Sequence, residues 1–520
     1  MESTYHFVRP RPPTLIRTEY HLQPWVAFII LLTLVYFSPL ARYPGPLLAK
    51  LTIFRNGYHA WKGDIHLDQW MCHLKYGPVV RYGPNFVSFD TSTGLKEIYS
   101  VGSNTWKHRH FEALSPRAQN LVTLRDKKVH AKRRRIIGRS FSDANIKMFE
   151  DRILHHINTF CEKVDSLPQK DDAWKPAIKV SDWCSYLVFD IITEFVFGSS
   201  YHMLESNKYR HILHDIEDAS TRNAVLIYLP FLALGGLHRR IFPEAVKGTR
   251  GFWNLIKAAI GNYSETMNSK CVLSNLIQPT HAPFEPHLEP QVIQSESGGL
   301  VLAGKITFSV TVQIPFFSNN TNVNYLGLDT TVTAISSIFF YLARNPYAYE
   351  KLASEIRNTF SSAEEIRLGA TLYKCKYLNA CIDECLRITP PIGTSPWREV
   401  GKGGISVDGN FVPEGTSVGT CIYSIHHNEK YFPRPHEFIP ERWIANEQDS
   451  YKTAQVATAR AAFNPFSTGP RGCIDGVLGK MGAGHPLGGN GRTNPMEFQV
   501  LDRIMSVIDG PMIQFRRRFY

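Results

Sequence analysis

The 520-residue sequence predicts a mainly α fold with a small β region. Three observations carry that expectation. Apolar residues recur at helical spacing over long stretches, from about Asp143 to Phe197, from Thr330 to Arg357 and from Tyr377 to Arg387. Two segments only, Pro78 to Phe89 and Gly404 to Val412, read as short strands. No internal repeat and no linker divides residues 41–520, so they read as one large domain.

Taken in order, residues 1–21 read as an N-terminal tail and residues 22–40 as a transmembrane anchor. Trp25 to Leu40 is mostly apolar and uncharged, and Leu22 extends it toward the about 20 residues that a spanning helix needs. Trp25 and Tyr36 suit the two membrane interfaces. A cleaved signal peptide competes with this reading. No small-residue cleavage site follows, however, and Tyr43-Pro44-Gly45-Pro46 makes a rigid hinge instead. Arg9, Arg11 and Arg17 before the run and Arg42, Lys50 and Arg55 after it leave its orientation undecided by charge.

Beyond the hinge, Pro78 to Phe89 alternates as a hairpin does. The helical pattern from Asp143 breaks at Pro168 and Pro176, and Phe197-Gly198 reads as a helix ending at its C-terminal glycine. The Thr330–Arg357 pattern is interrupted at Asn345-Pro346. The Tyr377–Arg387 helix stops before Pro390-Pro391.

A hydrophobic content of 43% with 20% charged residues excludes a disordered chain. Nine scattered cysteines, odd in number and without framework spacing, read as reduced thiols in a cytosol-facing protein. Cys381 and Cys385 sit four apart on a helix but lack partner ligands, so they read as helix-face thiols and not as a metal pair. The net charge is +12, from 58 Lys and Arg against 46 Asp and Glu. Such a surface suits anionic lipid, an acidic protein or nucleic acid. No nucleic-acid motif accompanies it, so no nucleic-acid partner is expected.

Five constellations carry chemistry. Phe466-Ser467-Thr468-Gly469-Pro470-Arg471-Gly472-Cys473 fits F-x-x-G-x-R-x-C. A lone cysteine in a glycine-rich loop is by itself most often a structural thiol. Glu384 and Arg387 stand at i and i+3 on one helix face and can pair. Pro440-Glu441-Arg442-Trp443 follows, preceded by His426-His427-Asn428-Glu429 and by Tyr431 to Phe438. The paired histidines have the wrong spacing for a helical zinc site and read as structural. His130 and Arg134, four apart, share a face of the basic run Lys127 to Arg135, and Arg398 lies in Pro396-Trp397-Arg398-Glu399. Leu328-Asp329-Thr330-Thr331 can cap a helix or open a polar notch in one.

In this order the motifs resemble the cytochrome P-450 superfamily of haem-thiolate monooxygenases, and closely its membrane-anchored filamentous-fungal members. The resemblance covers nearly everything after residue 44. It implies Cys473 as the thiolate ligand of haem iron, which pushes electron density toward the metal and favours O–O cleavage. It implies His130, Arg134, Arg398 and Arg471 at the haem propionates. It implies a buried ionic brace of Glu384, Arg387 and Arg442 behind the haem loop. Asp329 and Thr330 would relay protons for oxygen activation. The expected reaction is hydroxylation or epoxidation of an apolar small molecule, in fungal secondary-metabolite tailoring. Electrons would come from NADPH through a membrane-bound reductase. The chain would be anchored in the endoplasmic reticulum with its catalytic domain in the cytosol.

The sequence departs from the family twice. Leu302-Ala303-Gly304 reads like the start of the oxygen motif A-G-x-[D/E]-T-T, yet Asp329 comes much later; alternatively Gly327 stands for the motif glycine, with Leu326 where Ala is expected. Residues 305–325 between them lack helical periodicity, contain Pro315, and read as translated intervening sequence or a gene-model error. After Cys473 stand Ile474 and Asp475 where the family has x-Gly. Residues 475–495, with seven Gly and two Pro, oppose the long proximal helix expected there. Two alternatives therefore stay open: a catalytically impaired, haem-binding or haem-free product of mis-splicing, and a haem-thiolate isomerase or dehydratase.

Overall fold

The computed structural model describes residues 29, 33, 37–115, 118–168, 175–263, 271–277, 288–304, 328–446, 448–471, 486–487, 497–498, 500–503, 506–513 and 515. The 1–21 tail, almost all of the 22–40 anchor, the 305–325 segment, Cys473 and nearly all of 475–495 lie outside them. No helix among the described residues is long and apolar enough to cross a membrane.

The principal helices are α1 (Phe54–Lys62), α2 (Ile65–Tyr76), α3 (Ser92–Tyr99), α4 (Lys127–Ser140), α5 (Asp143–Asp165), α6 (Val180–Phe197), α7 (His211–Tyr228), α8 (Pro243–Gly261), α9 (Pro290–Gly304), α10 (Leu328–Arg344), α11 (Pro346–Thr359), α12 (Lys376–Ile388) and α13 (Ser450–Ala462). The expected breaks are where they should be. Proline at the first helical position opens α11 right after Asn345. Gly198 ends α6 at φ +78°, its N–H returning to the Glu194 carbonyl at 2.7 Å.

The small β region is a five-stranded sheet plus minor ladders. Its strands are β1 (Val79–Gly83), β2 (Phe86–Phe89), β3 (Thr105–Lys107), β4 (Arg398–Val400) and, after the β5 (Ile405–Val407) and β6 (Asn410–Val412) hairpin, β7 (Ser417–Thr420). They lie in the order β1-β2-β7-β4-β3. The predicted hairpin pairs Val79 with Phe89 and Val80 with Ser88. β7 joins β2 in parallel and β4 antiparallel, and β3 closes the edge by placing Lys107 opposite Arg398.

α6 is apolar on nearly every face, which suits only a buried position. It packs against α5, α9 and α10. Phe189, Ile192, Phe195 and Val196 fill that centre together with Phe149, Phe252 and Val301. Each such side chain contributes about 1.5–3 kcal/mol when taken from water. A second core joins α10, α11 and α12 through Phe340, Leu342, Leu352, Leu378 and Leu386. A third lies on the sheet, where Val87, Phe89, Val400 and Val418 meet Phe432 and Trp443. α4 and the strand carrying Arg398 are thereby fixed around one cavity.

Candidate active site

α4 begins where Asp126 accepts a hydrogen bond from Val129 N at 2.7 Å. That cap sets the register of the basic helix. His130, Arg134 and Gly138, each four residues on, then share one face. They line a cavity of about 790 Å³, closed by the end of α3 and the turn after it, by β3, by β4, and by Pro470-Arg471. All four residues expected at propionates, His130, Arg134, Arg398 and Arg471, line this one cavity.

The cavity is strongly cationic. Among the described residues that line it, seven are Lys or Arg (Lys107, Lys127, Arg134, Arg135, Arg139, Arg398 and Arg471) and none is acidic. Lys107 and Arg398 are 7% and 6% exposed and oppose each other across the β3–β4 ladder. Backbone oxygens hold these groups. Lys107 Nζ donates to the Val122 carbonyl, and Arg471 donates to the Leu124 and Arg125 carbonyls, both at 2.5 Å. Arg398 donates to the Pro396 carbonyl at 3.1 Å and sits over the Tyr99 ring at 5.0 Å.

The titrating groups register that concentration of charge. Burial, then Arg471 and Arg398, hold the Lys107 ammonium well below its ordinary value. Burial, then Arg471, Lys107, Arg134 and Arg398, drive the His130 imidazole down to about 2, so it is neutral. Burial lowers Arg398. A cluster of this kind fits a compact ligand with more than one negative charge. The two propionates of haem have that chemistry.

The loop leading to Cys473 approaches the cavity closely. Gly469 adopts φ +78°, and a Cβ there would stand 1.7 Å from the Tyr99 carbonyl oxygen. Only glycine allows that approach. Arg471, the last described residue before Cys473, reaches the cavity. Cys473 lies outside the described residues.

Behind the loop, the three predicted brace residues meet. Arg387 binds Glu384 through two bonds of 2.9 Å, and Arg442 Nε reaches Glu384 Oε1 at 3.0 Å. Trp443 Nε1 and Ile439 N complete the shell of Glu384 at 2.9 and 3.0 Å. Arg387 also donates to the carbonyls of His426, Pro435 and Glu437. Burial pushes the Glu384 carboxyl up, but Arg387 and Arg442 outweigh it and hold the group below its ordinary value. His426 takes the structural part expected of it, its Nε2 accepting from Asn464 N at 3.0 Å.

A family model described as cytochrome P-450 matches residues 44–318 and 319–483. The chain is 35% identical to the cytochrome P-450 monooxygenase poxM of Penicillium oxalicum over 496 residues, 92% of this chain and 91% of the relative. It is 34% identical to the monooxygenase atnE of Emericella nidulans over 510 residues, 93% of each chain. A cytochrome P-450 monooxygenase of Alternaria alternata is 32% identical over 514 residues, 93% of this chain and 94% of the relative.

The chain belongs to the cytochrome P-450 family. As a cytochrome P-450 it is a haem-dependent monooxygenase, an oxidoreductase that receives electrons from a reductase and acts on a small molecule. The two matched stretches meet at 318/319, inside the 305–325 segment. Both α9 and α10, which flank that segment, pack on α6.

Thr330 of the oxygen motif stands apart from the cationic cavity. Thr330 is buried in the first turn of α10 and does not line it. Of Asp329 the backbone alone is described, within the same turn. Cys381 and Cys385 are buried free thiols, and no metal-holding group of side chains occurs among the described residues. Sequence reading missed Lys107 and Tyr99. No periodicity marks either one, because strand pairing brings Lys107 to Arg398 and the packed end of α3 brings Tyr99 beneath it.

Proposed function

We propose that this cytochrome P-450 inserts one oxygen atom into a C–H bond or double bond of an apolar small molecule, as a tailoring step in fungal secondary metabolism. The single observation that carries the site assignment is the cavity lined by His130, Arg134, Arg398 and Arg471 beside the loop to Cys473, with no acid among its described lining residues. Haem bound there supplies oxygen activation. The chain's own part is to hold it. Arg134, Arg398 and Arg471 would pair with the propionates, and neutral His130 would donate a hydrogen bond to one of them. Cys473 would be the iron ligand. Asp329 and Thr330 would hold and pass protons for the reaction. Glu384, Arg387 and Arg442 brace the loop and take no part in the chemistry.

Exposed Lys128 and Lys132 on the outer side of α4 suit docking of an acidic reductase surface. Membrane association draws support from an exposed apolar face. Phe54, Tyr58 and Trp61 of α1 lie beside Phe231, Leu234, Leu237 and Ile241, with Phe54 and Phe231 ring centres 5.6 Å apart. Arg239 and Arg240 border it, a pattern that favours anionic lipid and an endoplasmic-reticulum anchorage by residues 22–40.

The test is the reduced carbon monoxide difference spectrum of the wild-type chain and of Cys473→Ser. A thiolate-type band in the first and its loss in the second is the expected result. A chain that takes up no haem overturns the assignment in favour of an impaired product of mis-splicing. NADPH consumption with a product heavier by one oxygen distinguishes oxygenation from isomerisation or dehydration.

A further inference from the structure

Two of the cavity's cations are held by a single loop, residues 118–125. Its Val122 carbonyl accepts from Lys107, and its Leu124 and Arg125 carbonyls accept from Arg471. The loop in turn is clipped to α9. Leu121 N donates to Glu296 Oε2 at 3.1 Å. Arg133 of α4 bridges the Gln119 carbonyl and Glu296 Oε1, the latter at 2.9 Å. Ser295 Oγ donates to the Ala118 carbonyl at 2.7 Å. One turn on, a Cβ at Gly299 would stand 2.9 Å from Asn120 Nδ2, so the loop lies directly on the helix.

Glu296 is 1% exposed, in a helix otherwise dominated by small and apolar residues along this stretch. A carboxylate buried so completely is costly and is tolerated only where its partners are well placed. No step of the proposed chemistry uses it. We propose that Glu296 is a positioning residue: it locks the 118–125 loop to α9 and so holds Lys107 and Arg471 where the haem propionates bind. This rests on the cavity reading given above.

The test compares full-length holoproteins by the rate of haem transfer to an excess of apo-globin, followed in the Soret region. Glu296→Gln offers one acceptor oxygen where two donors converge. It is expected to lose haem roughly tenfold faster, the size of a hydrogen bond to a charged group. Asp190→Asn is the control, a buried carboxylate of α6 that takes Met203 N and Leu204 N at 2.8 and 2.9 Å, away from the loop. It is expected to lower the unfolding midpoint and leave haem transfer at the wild-type rate. Equal acceleration in both variants, or wild-type behaviour of Glu296→Gln, overturns the proposal. Should Glu296→Gln not fold, Ser295→Ala cuts the same clip more gently and must accelerate haem loss; an unchanged rate then overturns it. Arg398→Ala separates the two readings. Fast haem loss from Arg398→Ala with normal Glu296→Gln sinks the positioning role alone. A wild-type rate in Arg398→Ala withdraws the cavity reading and the proposal with it.

Discussion

Lys107 and Arg398 face each other directly in the β3–β4 ladder, both cationic and both buried. Like charges in directly opposite positions of a sheet destabilise it. A sheet edge that keeps such a pair is poised for an anion, and the pair should behave oppositely with and without one.

Lys107→Met is therefore expected to stabilise the haem-free protein and to weaken the haem-bound one. The sign of the pH effect follows. The folded-state Lys107 value lies well below its ordinary 10.5, so between the two the unfolded chain binds more protons and stability rises with pH. Urea unfolding of both forms at increasing pH up to that ordinary value checks the claim. The slope difference should vanish in Lys107→Met.

Removing the centre of the brace strands the buried Arg387 guanidinium and the half-buried Arg442. Glu384→Ala is expected to cost about 3–5 kcal/mol of stability. Because the folded Glu384 value lies below its ordinary 4.5, the stabilisation is fully present above that pH and is lost as pH falls through the folded value. Denaturant titrations of wild type and Glu384→Gln between neutral and acid pH would show it. Parallel curves would refute the assignment.

Thr330 is buried at the start of α10 with the proton-relay role proposed for it. Thr330→Ala is expected to cut product formation by roughly 10²-fold, the lower range for a positioned acid–base group. NADPH consumption should continue and Thr330→Ser should recover part of the product. Unchanged product yield per NADPH would remove Thr330 from the mechanism.

Deleting residues 305–327 places Gly304 directly before Leu328 and recreates Ala303-Gly304-Leu328-Asp329-Thr330-Thr331. Both flanking helices already pack on α6. The shortened chain is expected to hold more haem per protein and to form more product than the full one. Lower haem content after deletion would show that the segment belongs to the working enzyme.

Much of this was legible because it is local. The i and i+3 spacing placed Glu384 beside Arg387, and the i and i+4 spacing placed His130 on the face of Arg134; both hold in the helices that form. The helix breaks at Asn345-Pro346 and Gly198 were equally readable, since proline and glycine act on their own backbone. Arg442 was placed by order of motifs and not by spacing, and its contact with Glu384 depends on a turn that only packing creates.

The sequence by itself determined the family, the helical character and the residues of the motifs, because periodicity and spacing are properties of neighbours along the chain. Tertiary structure decided which charges meet. Lys107 joined Arg398 through strand register, and Glu296 joined Leu121 and Arg133 through the docking of a loop on a helix. No pattern in the chain announces that a lysine or a glutamate will be buried. The contacts that make such burial tolerable come from segments far apart in sequence, and only the closed fold brings them together.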